Sequence, residues 1–199
     1  MVNTTAAEDA ARDDADIEQL IARNDRHGRD LALKLLMDRY SDRVYRFAHA
    51  MTRSAAAADD VRQQVFFQAY RDLARFERRS SLRTWLFAIV RNRCLDHVKG
   101  QRRWWKRFGN PPPEDPEVEP PDLDRSRIGE VLAVCITKLA PAARTAVVMR
   151  YIEELAYEEA AEITNELPGT LQQRVARALK ALRRCVSSRL RAPVMGGVS

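Results

Sequence analysis

A stretch rich in proline and acidic residues interrupts the chain near its middle, where residues 109–124 read GNPPPEDPEVEPPDLD. Clustered prolines are incompatible with a helix interior, and closely spaced like charges repel one another. We therefore predict a flexible linker over residues 108–126 that separates two domains, at residues 17–107 and 127–191. The small acidic residues of positions 1–16 are predicted to form a disordered leader, and residues 192–199 a disordered tail.

Both halves carry apolar residues at helical spacing, and neither contains the two-residue alternation of a strand. The clearest run in the first half consists of Leu82, Trp85, Leu86, Ile89 and Val90. Ser54, and either Ser80 or Ser81, are placed to cap helices, and Pro141 suits the first turn of another. We predict an all-α fold of two small helical domains.

The charge balance and the cysteines limit the partners and the compartment. Lys and Arg number 34 against 28 Asp and Glu, a formal net charge of +6, which favours nucleic acid or an acidic membrane surface. No apolar run approaches the roughly 18 residues that span a membrane, and no signal peptide is recognisable. Cys94, Cys135 and Cys185 lie far apart, so we expect reduced thiols in a cytoplasmic protein that holds neither metal nor cofactor.

Residues 155–184 predict a helix-turn-helix, with a short helix over Tyr157–Thr164, a turn, and a basic helix from Pro168. The start of such a second helix points into the major groove of DNA. Gln and Arg pair with adenine and guanine edges, while cationic side chains attract phosphates. The expected DNA-contacting residues are Thr170, Gln172, Gln173, Arg174, Arg177 and Lys180. A helical hairpin with a solvated basic face is the alternative.

Two features of the first half are not explained by a helical core. Residues 76–81, FERRSS, form a short polar loop that carries an aromatic candidate for exposure, Phe76, and two arginines. A basic segment follows, with Trp104 and Trp105 among its arginines and lysines. Arginines attract phosphates, and aromatic rings stack on unpaired bases. A solvated helix end explains the charges equally well, and a domain interface could hold the tryptophans.

Taken together, these segments resemble the extracytoplasmic-function (ECF) sigma factors, the compact two-domain group of bacterial sigma factors. The likeness extends from about residue 17 to residue 190. In the first domain it is carried by Ala58, Asp59, Asp60, Val61, Gln63, Val65, Phe66, Ala69, Tyr70, Phe76, Thr84, Trp85, Leu86 and Asn92. In the second it is carried by Leu139, Ala140, Pro141, Arg150, Tyr151, Tyr157, Glu158, Glu159, Ala161, Glu162, Gly169, Thr170, Arg174, Arg177 and Ala178.

The resemblance implies that the domains are sigma regions 2 and 4. In region 2 the clamp helices of the largest subunit of core RNA polymerase would be bound by Asp59, Asp60, Gln63 and Gln64. A pocket for a flipped-out base of the minus-ten promoter element would be formed by Phe76, Glu77, Arg78, Arg79, Ser80 and Ser81, with Asn92 beside it. Extruding a base costs a few kcal/mol, which the loop contacts must offset. The predicted helix-turn-helix would read the minus-thirty-five element.

The resemblance also implies that the chain is not an enzyme, because bond formation belongs to the polymerase. It implies an anti-sigma factor as a partner, which could hold the protein at the membrane without direct membrane insertion. The chain departs from the family pattern at Gln64, where glutamate is usual, at Ala156, where serine is frequent, and at Ala160, where a bulky aliphatic residue is frequent.

Two other functions are weighed against this one. A metal-dependent nuclease would use clustered carboxylates, here Glu153, Glu154, Glu158, Glu159 and Glu162, but we expect these on a solvated helix face. Cys94 and His97 make at most half of a metal site. A helix-turn-helix regulator that binds operator DNA as a dimer would not require the loop and the tryptophans of the first domain, and no dimerisation heptad is visible.

Overall fold

The structure, a computed structural model, describes residues 14–109 and 127–191. The predictions for residues 1–13 of the leader, for residues 110–126 of the linker and for the tail lie outside these ranges. Within them the chain forms eight α-helices and one 3-10 turn, with no strand. The predicted all-α class is confirmed.

The helices form two modules in chain order. Module 1 contains α1 (Ala15–Ala22), α2 (Arg26–Thr52), α3 (Ala55–Asp72), the 3-10 turn (Leu73–Arg75) and α4 (Leu82–Phe108). Module 2 contains α5 (Arg127–Thr137), α6 (Pro141–Tyr151), α7 (Tyr157–Thr164) and α8 (Pro168–Arg191). Pro141 begins α6, as its lack of a backbone N–H favours.

Polar side chains determine where three helices of module 1 begin. Asp25, Ser54 and Ser81 each accept a hydrogen bond from the backbone N–H three residues later, at 2.5, 3.2 and 3.0 Å. Such caps satisfy donors that a helix start leaves unpaired. At α2 the third residue must be Gly28, because a Cβ there would lie 2.6 Å from the carbonyl oxygen of Leu20. The Ser54 cap is confirmed, and Ser81 rather than Ser80 caps α4.

The fold begins earlier than the predicted boundary at residue 17. Asp14 is 4% exposed, and its carboxylate accepts hydrogen bonds from the Tyr40 hydroxyl at 2.8 Å and from Arg39 at 3.0 Å. Asp16 accepts a further hydrogen bond from Arg39 at 3.3 Å. The prediction that residues 14–16 belong to a disordered leader is therefore wrong, because these acidic residues have specific partners on α2.

A continuous hydrophobic core crosses from one module to the other. Side chains of α2 and α4, such as Phe47 and Phe87, share one buried cluster with Met149 and Leu155 of module 2. Across the boundary, α2 contacts α5 and α6, and α4 contacts α6 and α7. The two modules are thus packed against each other. We call this the closed arrangement.

The cysteines differ from the prediction. Cys135 on α5 and Cys185 on α8 form a disulfide with their Cα atoms 5.9 Å apart, although 50 positions separate them in the chain. The expectation of reduced thiols is wrong for this pair, since only the packing of α5 on α8 brings the two sulfurs together. Cys94 is a free thiol buried in module 1, and burial raises its pKa to about 12.

Candidate nucleic-acid and polymerase interfaces

One face of α3 packs into module 1, and the opposite face is exposed. The buried row consists of Ala58, Val61, Val65 and Ala69. On the other side, the predicted residues Asp60, Gln63 and Gln64 are exposed at successive helical positions. Asp59 is half-buried, and its carboxylate lies 2.7 Å from the guanidinium of Arg62. The structure therefore brings three of the four predicted polymerase-binding residues onto one open surface.

Phe67 belongs to this surface and was not among the predicted residues. Its side chain is 68% exposed and lies one turn beyond Gln63 and Gln64. The ring adds apolar area to a surface that is otherwise polar, and aromatic side chains are enriched in protein interfaces. The helical period carries the signal, because the burial of Val65 and Ala69 requires position 67 to face outward. We call Asp60, Gln63, Gln64 and Phe67 the α3 surface.

The aromatic residue of the loop before α4, Phe76, was predicted to be exposed, and this prediction is wrong. Phe76 is half-buried and packs on Trp85 of α4, with ring centroids 5.3 Å apart and ring planes at 52°. The contact anchors the start of the loop, and the Ser81 cap anchors its end. The loop is thus held at both ends on the first turns of α4.

The two arginines of the loop have different surroundings. Arg78 adopts a left-handed backbone conformation with φ 56° and donates a 2.5 Å hydrogen bond to the carbonyl oxygen of Glu18 on α1. Arg79 pairs with Glu77 at 2.5 Å, and both side chains are largely exposed. The loop therefore offers Glu77, Arg79 and the serines to a ligand, while Arg78 fastens it to α1.

The remaining predicted residue of the minus-ten site lies further along α4. Asn92 is exposed, and its side-chain oxygen accepts a 3.0 Å hydrogen bond from Arg91. Three turns of helix separate it from Ser81, which corresponds to roughly 16 Å of axial rise. The loop and Asn92 therefore mark two points along one rigid helix.

The C-terminal end of α4 carries exposed aromatic rings among cations. Trp104 is 51% exposed and Phe108 62%, with their ring centroids 5.4 Å apart. Exposed cationic side chains surround them, namely Arg102, Arg103, Lys106 and Arg107. No carboxylate of residues 14–109 or 127–191 forms an ion pair with these four cations. The side chain of Trp105, the second predicted tryptophan, lies outside what the structure describes.

The helix-turn-helix forms as predicted, with α7 over Tyr157–Thr164 and α8 from Pro168. Asn165 ends α7 in a left-handed conformation with φ 55°. An apolar row is buried at Ile163, Leu171, Val175, Ala178 and Leu182. Ala156 provides no capping side chain, and Glu159 compensates by accepting a 2.9 Å hydrogen bond from the Ala156 N–H.

Most of the predicted DNA-contacting residues face outward from α8. The exposed positions are Thr170, Gln172, Gln173, Arg177 and Lys180. Arg174 differs, because its guanidinium donates two hydrogen bonds to the carboxylate of Glu166, at 2.8 and 2.5 Å. This contact lowers the pKa of Glu166 and holds Arg174 across the turn. Glu166 was missed by the sequence reasoning, since nothing in the local spacing links it to position 174.

A buried charge cluster joins the modules at Glu153, which is 1% exposed between α6 and α7. Arg43 of α2 binds its carboxylate at 3.0 Å, and Arg83 of α4 donates a 2.5 Å hydrogen bond to its carbonyl oxygen. Burial raises the pKa of Glu153, although Arg43 opposes the shift. The expectation that Glu153 lies on a solvated helix face is therefore wrong.

Arg144 makes a second polar contact between the modules. It is buried on α6 and donates hydrogen bonds to the carbonyl oxygens of Met51, at the end of α2, and of Thr137, at the end of α5. Burial, with a smaller effect from Arg102, lowers the pKa of Arg144 to about 10. One side chain thus connects three helix ends across the closed arrangement.

No helix within the described ranges is long and apolar enough to cross a membrane. The same ranges contain no group of three or more histidine, cysteine, aspartate or glutamate side chains placed to hold a metal ion.

Comparison with known proteins identifies the family to which the chain belongs. Residues 36–104 match the family described as Sigma-70 region 2, and residues 129–182 match Sigma-70, region 4. The chain is 31% identical over 153 residues to ECF RNA polymerase sigma factor SigE of Mycolicibacterium smegmatis; the alignment takes in 74% of this chain and 59% of that protein's length. It is 28% identical over 191 residues to the RNA polymerase sigma-H factor of Pseudomonas aeruginosa, with 87% and 95% covered.

Two solved structures share the fold. The sigma factor RpoE in complex with the anti-sigma factor NepR from Bartonella quintana has a TM-score of 0.67 at 23% identity, with 77% of this chain and 96% of that chain covered. CnrH in complex with the cytosolic domain of CnrY has a TM-score of 0.66 at 22% identity, with 88% and 99% covered.

The chain is also similar to ECF RNA polymerase sigma factor SigC of Mycobacterium tuberculosis. The two sequences are 33% identical over 159 residues, which is 78% of this chain and 83% of SigC. The two family matches fall on module 1 and module 2 in turn, with region 2 before region 4. The chain therefore belongs to the ECF sigma factors of the sigma-70 family.

Proposed function

We propose that this chain brings core RNA polymerase to promoters by binding the polymerase and two promoter elements at once. The observation that carries the proposal is the exposed row at the start of α8. There Gln172, Gln173 and Arg177 project from the side of the helix opposite its buried apolar row. Side chains of these types, presented by a helix-turn-helix, suit base edges in the major groove. Module 2 would thereby read the minus-thirty-five element.

Arg174 has a narrower role in this proposal than the sequence suggests. Its two hydrogen bonds to Glu166 would have to break before it could bind a guanine edge. We assign Arg174 to positioning instead, because the pair fixes the turn on α8 and so orients Gln172 and Gln173. Thr170, at the open start of α8, would bind a phosphate, as helix N-termini favour.

Module 1 would hold the minus-ten element along α4. The loop of residues 76–81 would receive an extruded base, and Asn92 would contact the adjoining strand. Trp104 and Phe108 add exposed rings among four cations. Aromatic stacking is worth about 1–3 kcal/mol per base, and cations add a salt-dependent attraction to phosphates. The distribution of charge supports DNA as the ligand of this helix end.

The α3 surface would bind the clamp helices of the largest polymerase subunit through Asp60, Gln63 and Gln64, with Phe67 as its apolar contact. Catalysis would remain with the polymerase, and the chain would require neither metal nor cofactor. We further propose an anti-sigma factor as a regulator, in line with the structural neighbour RpoE of Bartonella quintana, which is bound to the anti-sigma factor NepR. The chain would act in the cytoplasm, either free or held at the membrane through that partner.

Mapping RNA 5′ ends after overexpression of the chain tests this function. We expect a set of new transcripts whose upstream sequences share one element near minus-ten and one near minus-thirty-five. A matched strain would express the Gln172→Ala and Gln173→Ala double variant, which should lose the transcripts. A control variant, Gln19→Ala, alters an exposed glutamine on α1 and should preserve them. New transcripts with no shared upstream elements would contradict the proposal.

A further inference from the structure

The disulfide between Cys135 and Cys185 has no role in the function proposed above. A factor that works with polymerase on DNA resides in a reducing compartment, where disulfides are transient and sense oxidants. Resting on that proposed function, we infer that Cys135 and Cys185 form a reversible thiol–disulfide site. The oxidised form would hold the modules in the closed arrangement, and the reduced form would let them separate.

The location of the two sulfurs allows exchange with a small thiol. Cys135 is 1% exposed and lies in the apolar cluster beneath α8, whereas Cys185 is half-buried. A thiolate from solution would attack the Cys185 sulfur, forming a mixed disulfide and releasing Cys135 as a thiol. A second small thiol would then free Cys185. The net reaction converts one protein disulfide and two small thiols into two protein thiols and one small disulfide.

Re-oxidation is the reverse reaction, with a low-molecular-weight disulfide as the oxidant. The two protein thiols lose two electrons and two protons, which reduce that disulfide to two thiols. The fold favours closure because α5 packs along α8 and keeps the two cysteines adjacent. Cys94 takes no part, since its burial raises its pKa to about 12 and suppresses the reactive thiolate.

A contact path links this disulfide to the boundary between the modules. Thr137 follows Cys135 by two residues, and its carbonyl oxygen accepts a hydrogen bond from Arg144. The same guanidinium donates a 2.5 Å hydrogen bond to the carbonyl oxygen of Met51 on α2. Since α5 also packs directly on α2, fastening α5 to α8 fixes module 2 in the position that module 1 contacts.

The closed arrangement opposes promoter binding. The minus-ten and minus-thirty-five elements are separated by about 25 base pairs, on the order of 80 Å at about 3.4 Å per step. In the structure α4 and α7 touch, with Arg83 and Glu159 3.6 Å apart. Since α4 would bind the minus-ten element and α8 the minus-thirty-five element, they cannot occupy both elements at once unless the modules separate. A disulfide that stabilises closure should therefore lower transcription.

The test compares fully oxidised and fully reduced wild-type protein in runoff transcription with core polymerase. The protein is equilibrated with glutathione and its disulfide at graded ratios, and alkylation followed by mass spectrometry gives the oxidised fraction. We expect the oxidised protein to be less active by about fivefold, the lower end of ordinary coupling between sites, with recovery after a dithiol reductant. The Cys135→Ser and Cys185→Ser double variant should respond to neither reagent, whereas Cys94→Ala should respond like wild type.

Three results separate the outcomes. Equal activity of oxidised and reduced wild type overturns the redox inference and leaves the proposed function intact. A response of similar size in the double variant also overturns it, because oxidation would then act at another residue. If the double variant fails to fold, Cys185→Ser replaces it, since the half-buried position tolerates serine better. Failure of the reduced protein to support any promoter-specific transcript would contradict the proposed function itself.

Discussion

Glu153 is held in an environment that opposes its charge. One oxygen of its carboxylate accepts a hydrogen bond from Arg43, and the other has no hydrogen-bond partner in the described part of the chain. Arg46 of α2 and Arg83 of α4 also face it, and Glu159 of α7 approaches Arg83. Desolvation exceeds the attraction of these cations, so the pKa of Glu153 is raised in the closed arrangement.

The raised pKa predicts a pH-dependent closure. Closure favours the protonated carboxyl, so its contribution is complete below the pKa of the open form and is lost as the pH rises through the raised pKa. Small-angle scattering between about pH 8 and about pH 5 should show the chain becoming more compact at the acidic end. Glu153→Gln, which cannot titrate, should flatten the profile. Identical profiles for the variant and the wild type would exclude Glu153 as the titrating group.

Phe67 tests the polymerase contact at a single side chain. Burying a phenylalanine side chain contributes about 2 kcal/mol, which corresponds to roughly thirtyfold in Kd. Phe67→Ala should weaken binding to core polymerase by about this factor without changing the melting temperature, since the ring is 68% exposed. Met37→Ala, at a 42% exposed position on α2, is the control for nonspecific loss of apolar surface. Unchanged affinity of Phe67→Ala in a fluorescence titration would remove Phe67 from the interface.

Among the helices, α8 is expected to determine selectivity. Each correct bidentate pair with a base is worth about 1–3 kcal/mol of discrimination. The Gln172→Ala and Gln173→Ala double variant should therefore lose the difference between consensus and altered minus-thirty-five elements in runoff assays. Its affinity for core polymerase should be unchanged, because α3 carries that contact. Concerted loss of polymerase binding and selectivity would contradict this division between helices.

The C-terminal end of α4 should contribute through stacking and charge separately. Trp104→Ala should weaken holoenzyme binding to DNA with an unpaired minus-ten strand by about 1–3 kcal/mol, with little change in its salt dependence. Arg103→Gln with Arg107→Gln should lower the slope of affinity against salt by about one to two ion equivalents. Filter binding at graded salt distinguishes the two effects. If neither slope nor affinity changes, this helix end does not contact DNA.

The elements themselves follow closely from local sequence. The helical period and the residues that start helices predict α7, the beginning of α8 and the caps at Ser54 and Ser81, because they depend on neighbours within one or two turns. The same period predicts which residues of α8 face outward. It also contains the information that Phe67 is exposed, which was overlooked.

Contacts between distant positions could not be predicted in this way. Cys135 meets Cys185 across 50 residues, and Asp14 meets Tyr40 across two helices. Glu166 neutralises Arg174 across the turn. Phe76 is covered by Trp85 because the loop folds back on α4. Each contact depends on how helices pack, which one sequence does not encode in any local spacing.

At the scale of the whole molecule, two modules that are far apart in the sequence are packed against each other. A proline-rich acidic segment separates the modules along the chain, yet the helices on either side share one core and the polar contacts of Glu153 and Arg144. Burial costs offset part of these polar contacts, because both groups have shifted pKa values. The closed arrangement is therefore suited to opening when the polymerase and the promoter bind the two modules separately.

Runoff transcription with purified components shows whether the chain directs core polymerase to a promoter. Core polymerase, a linear template with a promoter identified from RNA 5′ ends, and the reduced chain should yield one discrete transcript that core polymerase alone does not produce. Altering either promoter element should abolish it. If the chain neither binds core polymerase nor produces that transcript, while module 2 still binds duplex DNA, the chain acts as a conventional operator-binding regulator and the account is contradicted.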